Sequence, residues 1–180
     1  MSMRSFFDTG YGSKVNEIEF KNAVKYAVNH ADTVNKICNT NIEGFKKLLE
    51  KHKDTGLEDY ELSEEDVELF NDEDKDEWEE IIKGADSRAD DVGYELFDIM
   101  MELIKAVINE EEGYQVIYAP GQPDIDSEPA IILPAGEPWS FNKKEKEMTK
   151  EEFEESFGEH MEELGLKKED IDYQEIEYYG

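Results

Sequence analysis

Asp72, Asp74 and Asp76 fall at the first, third and fifth positions of a helix–loop–helix calcium loop, where carboxylate oxygens would enter the coordination shell. The glycine that such a loop needs for its sharp turn is replaced by Glu77. The closing bidentate glutamate is replaced by Lys83. The segment therefore reads as an acidic helix start bathed in water. Asp124 and Asp126 form a second, weaker pair. His30, His52 and His160 are scattered, with no ligand spacing and no second cysteine beside Cys38. His160 lies between Phe157 and Met161, which suggests a histidine at the rim of a core. Cys38 follows Ile37 on an apolar stripe and reads as a buried thiol. No glycine-rich phosphate loop precedes a helix, and no Gly-x-Ser-x-Gly elbow exists. The residues present thus predict a non-enzymatic protein without a cofactor or metal.

What remains is charge. The chain has 180 residues, 48 of them acidic and 19 basic, for a net charge of −29. Residues 1–53 carry a net of +3, residues 54–113 a net of −20 and residues 114–180 a net of −12. Composition that merely solubilised the chain would not leave one third slightly positive. The densest run comprises Glu58, Asp59, Glu61, Glu64, Glu65, Asp66, Glu68, Asp72, Glu73, Asp74, Asp76, Glu77, Glu79 and Glu80, with Lys75 the only base among them. These residues are the predicted partner-binding surface. Duplex DNA carries about one charge per 1.7 Å, so this net charge corresponds to roughly 50 Å of duplex. A compact domain of this length is about 40 Å across. Its charge per unit length is therefore DNA-like, and nucleic acid or anionic membrane would be repelled.

The expected partner is a basic protein that handles nucleic acid, such as a nuclease, with the chain acting as a DNA or RNA mimic. In charge and size the chain resembles phage-encoded DNA-mimic inhibitors of restriction or CRISPR enzymes, and acidic immunity proteins of nuclease toxins. That resemblance implies an anti-defence or immunity-type inhibitor. No motif stands behind it, and it transfers no residue role. Two alternatives stand beside it: an acidic accessory or structural protein with no nucleic-acid-related target, and a hydrolase whose carboxylates are hidden among the many. The slightly positive residues 1–53 should face away from the partner or form a self-association surface. A single cysteine and the lack of a membrane-length apolar run predict a reducing, cytoplasmic setting.

The elements that would position these side chains follow from periodicity. Mean hydropathy is −0.78, yet 9 Phe, 9 Tyr and 2 Trp argue for an ordered core. The expected class is α+β in a single domain over residues 1–180. A helical N-terminal part, about 1–112, should pack with a C-terminal β-β-α-β unit holding a small antiparallel or mixed sheet. Val15, Ile18, Val24, Ala27, Val28, Ala31, Val34 and Ile37 form one helical stripe, with Ser13 as its N-cap. A further segment runs over 42–53. Helices are expected over 64–84 and 87–112, the latter with Met100, Leu103 and Val107 inward and Gly113 at its C′ position. The period then changes to two, predicting strands at 114–119, 130–133 and 173–179. Trp139 and Phe141 should fold back from the loop after the second of these. Thr149 and Glu152 form a capping box, and Phe153, Phe157, Met161 and Leu164 form the inner stripe of the helix that follows.

Overall fold

The structure, a computed structural model, describes residues 4–38, 96–122, 125–134 and 148–179. The chain divides into two compact units. One comprises residues 1–17 and 112–180, the other residues 18–111.

The first unit is built on a four-stranded antiparallel sheet of order β2-β3-β1-β4. Its strands are β1 (Ser5–Lys14), β2 (Ile117–Ala119), β3 (Ala130–Pro134) and β4 (Asp172–Tyr179). The strands expected near 114–119, 130–133 and 173–179 are present. Tyr114, Val116 and Tyr118 are buried as the period-two pattern requires, although the ladder takes in only the last three residues of that segment. The central strand β1 overturns the expectation of an entirely helical N-terminal part. Ser13 is no helix cap: it lies in β1, and its hydroxyl donates to the Lys14 carbonyl at 3.1 Å. Val15 and Ile18 are buried as expected, but they precede the helix rather than belong to it.

β1 is long enough to serve two neighbours in turn. Gly10 to Lys14 pair with β3, while Ser5 to Gly12 pair with β4. Odd-numbered residues of β1 share one sheet face with Ile131 and Leu133. On the opposite face Ala119, Ala130, Ile132 and Ile176 form one buried cluster with Ile117 beside it. Ile176 sits opposite Asp8, well along the ladder from Ile132 opposite Gly12. Their place in one cluster requires the sheet to curl over that face. Gly10 and Gly12 permit the curl. A Cβ on either would collide with the carbonyl of Leu133 or of Ile131, a close strand approach that only glycine allows.

Helix α4 of this unit (numbered after three helices given below) spans Lys150–Glu163 and packs against the odd face. Its inner residues Phe153, Phe157, Met161 and Leu164 are buried as the stripe predicts. Phe153 stacks on Phe157 at 4.9 Å and meets Tyr11 edge-on at 6.1 Å. The capping box is formed: the Glu152 N–H donates to Thr149 Oγ1 at 3.2 Å and the Thr149 N–H to Glu152 Oε2 at 3.0 Å. Gly165, at φ 86°, ends the helix in a Schellman turn, with the Leu166 N–H donating to the Met161 carbonyl at 2.9 Å.

The second unit supplies α1 (Phe20–Asn29), α2 (Ala31–Cys38) and α3 (Leu96–Glu112, whose last residue belongs to the first unit). The stripe read as one helix is broken at His30, whose N–H still donates to Tyr26. Ala23, Tyr26, Ala27 and Val34 are buried. On α3 the expected stripe holds: Phe97, Met100, Met101, Leu103, Ile104, Val107 and Ile108 are all buried. Glu102 interrupts that apolar surface and is ion-paired with Lys105 one turn on, at 2.7 Å. Gly113 follows α3 at φ 72°, the left-handed conformation expected at C′. The expected helical segments at 42–53 and 64–84, and the placement of Trp139 and Phe141, lie outside the described residues.

Candidate interaction surface

All fourteen residues of the predicted partner surface, Glu58 to Glu80, lie outside the described residues, as do Asp72, Asp74 and Asp76 read as a calcium motif. The structure neither gathers nor separates them. Among the described residues another acidic surface is displayed, one that no motif marks.

α4 presents two opposed sides because its apolar and acidic residues follow the same helical period. The side away from the sheet carries Glu151, Glu152, Glu155, Glu159, Glu162 and Glu163, all exposed. At 1.5 Å per residue, the six carboxylates from Glu151 to Glu163 average about 3.6 Å apart along the axis, with single gaps of about 1.5 to 6 Å. One strand of B-DNA carries a phosphate about every 3.4 Å. Glu151, Glu155, Glu159 and Glu163 repeat at four-residue steps, which brings like charges side by side and costs helix stability. The capping box and the favourable position of Glu151 and Glu152 at the positive end of the helix dipole offset part of that cost. The four-residue spacing was readable in the sequence, masked there by the apolar stripe that interleaves it.

Of the cations near this helix, Lys168 reaches the ridge and Lys150 its flank. Lys168 lays its stem over Gly158 and places Nζ 2.8 Å from Glu155 Oε2. The Glu155 bond is the main cause holding that ammonium above its usual pKa. Lys150 lies 3.4 Å from Glu154 Oε1 and 5.0 Å from the centre of the Tyr11 ring. Glu154 itself accepts the Tyr11 hydroxyl, and burial with that bond raises the phenol's pKa. Glu151, Glu159 and Glu162 make no ion pair among the described residues.

Elsewhere the acids and histidines are structural partners. In the sheet unit His160 is 5% exposed, the core-rim histidine that its neighbours suggested, and its Nε2 lies 2.9 Å from Glu112. Tyr114 bonds the Ser156 hydroxyl, and burial pushes its pKa up. In the helical unit Thr33 donates to Glu111 at 2.6 Å, His30 Nδ1 approaches the same carboxylate at 2.7 Å, and Lys36 pairs with Glu110.

A polar cleft of about 280 Å³ opens at the Lys14 end of the sheet, lined by Ser13, Asn16, Glu17, Glu128, Asp170 and Gln174 among others. Lys14 and Asn16 both hold Glu128, the latter at 3.0 Å. Among the described residues its lining holds no histidine or cysteine, and the Ser13 hydroxyl donates to the backbone.

No described helix is long and apolar enough to cross a membrane. No protein-family model, curated protein or solved structure matches this chain.

Proposed function

We propose that the chain is a non-enzymatic acidic protein that binds a basic, nucleic-acid-handling protein and occupies its nucleic-acid groove as a DNA or RNA mimic, in the manner of a phage anti-defence or immunity-type inhibitor. The observation that carries this reading is the ridge of α4, whose carboxylates, unevenly spaced, average along the axis about the density of phosphates on one nucleic-acid strand. The net charge of −29 supports it, because self-repulsion at that charge destabilises a compact state and calls for a use. The partner's Lys and Arg side chains would then meet carboxylates where they ordinarily meet phosphates. The run from Glu58 to Glu80 extends the same chemistry.

Charge reversal tests the reading. Glu151, Glu155, Glu159 and Glu162 changed together to Lys, and separately Asp72, Asp74, Asp76 and Glu80 changed to Lys, should slow association with a nuclease partner and leave the chain folded. Unchanged association rates in both variants would contradict it.

A further inference from the structure

The outer edge of β4 is a strand-docking site, and we infer that its occupant is an extended, lysine- or arginine-bearing segment of a partner protein. The inference goes beyond the phosphate-mimic reading and stands without it, since β4 is not part of the α4 ridge.

The hydrogen-bond parity of the sheet shows which groups of β4 point outward. The Val15 N–H donates to the Pro129 carbonyl at 2.9 Å, so odd-numbered residues of β1 bond towards β3. Even-numbered ones therefore bond towards β4. By the pairing of Gly12 with Asp172 and Asp8 with Ile176, even-numbered residues of β4 bond back to β1. Tyr173, Glu175, Glu177 and Tyr179 then direct their N–H and C=O groups away from the sheet. Two independent bonds agree with this. The Tyr173 N–H donates to Asp172 Oδ1 and the Tyr179 N–H to Gln122 Oε1, each at 2.8 Å. The ends of the edge are thus closed by side chains. Between them Glu175 and Glu177 present backbone groups with no strand partner among the described residues.

The side chains of the same four residues lie on one face of the sheet, in the order aromatic, acid, acid, aromatic. Tyr173 is 54% exposed and Tyr179 38%, and Phe7, opposite Glu177, is 49% exposed on that face. Exposed rings flanking two carboxylates suit cations at alternate positions of an added strand. Each cation would face a carboxylate across the ladder, with aromatic faces beside it. A second copy of this chain fits poorly, because its own Asp172, Glu175 and Glu177 would be brought against these acids.

The test uses the full chain with a short peptide alternating lysine and valine, and its counterpart with glutamate in place of lysine. Amide hydrogen exchange is read residue by residue. The lysine peptide should slow exchange at Glu175 and Glu177 by about tenfold or more, leave Ile176 and Tyr178 as they were, and fail to do so as the glutamate peptide. Glu175→Pro removes an outward N–H while sparing the bonds to β1, and should abolish the protection. Should that variant not fold, the double variant Glu175→Lys with Glu177→Lys carries the test, reversing the preference between the two peptides. The ridge variant of α4 should leave the protection intact. Three outcomes would overturn the proposal: equal protection by both peptides, protection confined to α4, or protection of Glu175 and Glu177 that grows with protein concentration when no peptide is present.

Discussion

Helix α3 ends on Glu110, Glu111 and Glu112, while α4 carries Glu151 and Glu152 in its first turn and continues its acids along one side. Acids at the end of α3 oppose the helix dipole, and there each carboxylate has a named donor. Lys36 serves Glu110, Thr33 and His30 serve Glu111, and in the sheet unit His160 serves Glu112. Acids along α4 are treated differently. Those at its start are favoured by the dipole and the cap, and Glu151, Glu159 and Glu162 are left without an ion pair among the described residues. Cations are scarce in this chain, with 19 basic residues against 48 acidic ones. They are used where a carboxylate would otherwise weaken the fold. On the proposed reading, the charge that remains unneutralised is the charge a partner would meet.

Stability measurements can break this contrast. The largest effect should come from the anchor beneath the ridge. Phe157 is fully buried and stacked on Phe153, so Phe157→Ala should cost about 3–5 kcal/mol in a urea melt. A loss under about 1 kcal/mol would mean that α4 is not held by its inner stripe. Next comes Glu111→Ala, which strips the acceptor from Thr33 and His30 and should cost about 1–2 kcal/mol. Thr149→Ala removes half of the capping box and should cost about 1 kcal/mol. Glu159→Ala should change stability by no more than about 0.5 kcal/mol in either direction. If Glu159 proved as costly as Glu111, the distinction between neutralised and exposed acids would fail.

Alkaline pH sharpens the same picture from the core side. Burial raises the pKa of Tyr114, and burial with the Glu154 bond raises that of Tyr11, so both phenols hold their protons longer folded than unfolded. The unfolded chain then binds fewer protons above its ordinary phenol pKa of 10.0, and stability should fall as pH rises through that value towards the folded pKa. Tyr114→Phe should flatten that fall in denaturant melts at successive pH values. A profile unchanged by the substitution would remove Tyr114 as a source.

The parts of the fold legible in the sequence were those set locally. The Thr149 box, the α4 stripe, the α3 stripe and Gly113 depend on neighbours within a turn or two, and each appears where its pattern placed it. β1 was hidden because its pattern is not that of an evenly half-buried strand. Phe6 and Phe7 are both exposed, while Gly10 to Ser13 are all buried, so no simple alternation survives. Its glycines stand where the close approach of β3 leaves no room for a Cβ. Val15 and Ile18 then lent their three-residue spacing to a helix that begins only at Phe20. The outer edge of β4 was equally hidden, because an edge depends on strand order, which no local pattern carries.

Competition with nucleic acid tests the central claim most directly. With a purified nuclease partner, DNA or RNA should displace the protein, and binding should weaken steeply as salt rises past physiological strength, where screening acts over about 8 Å. Equal binding at low and high salt, with nucleic acid already seated in the partner's groove, would contradict it.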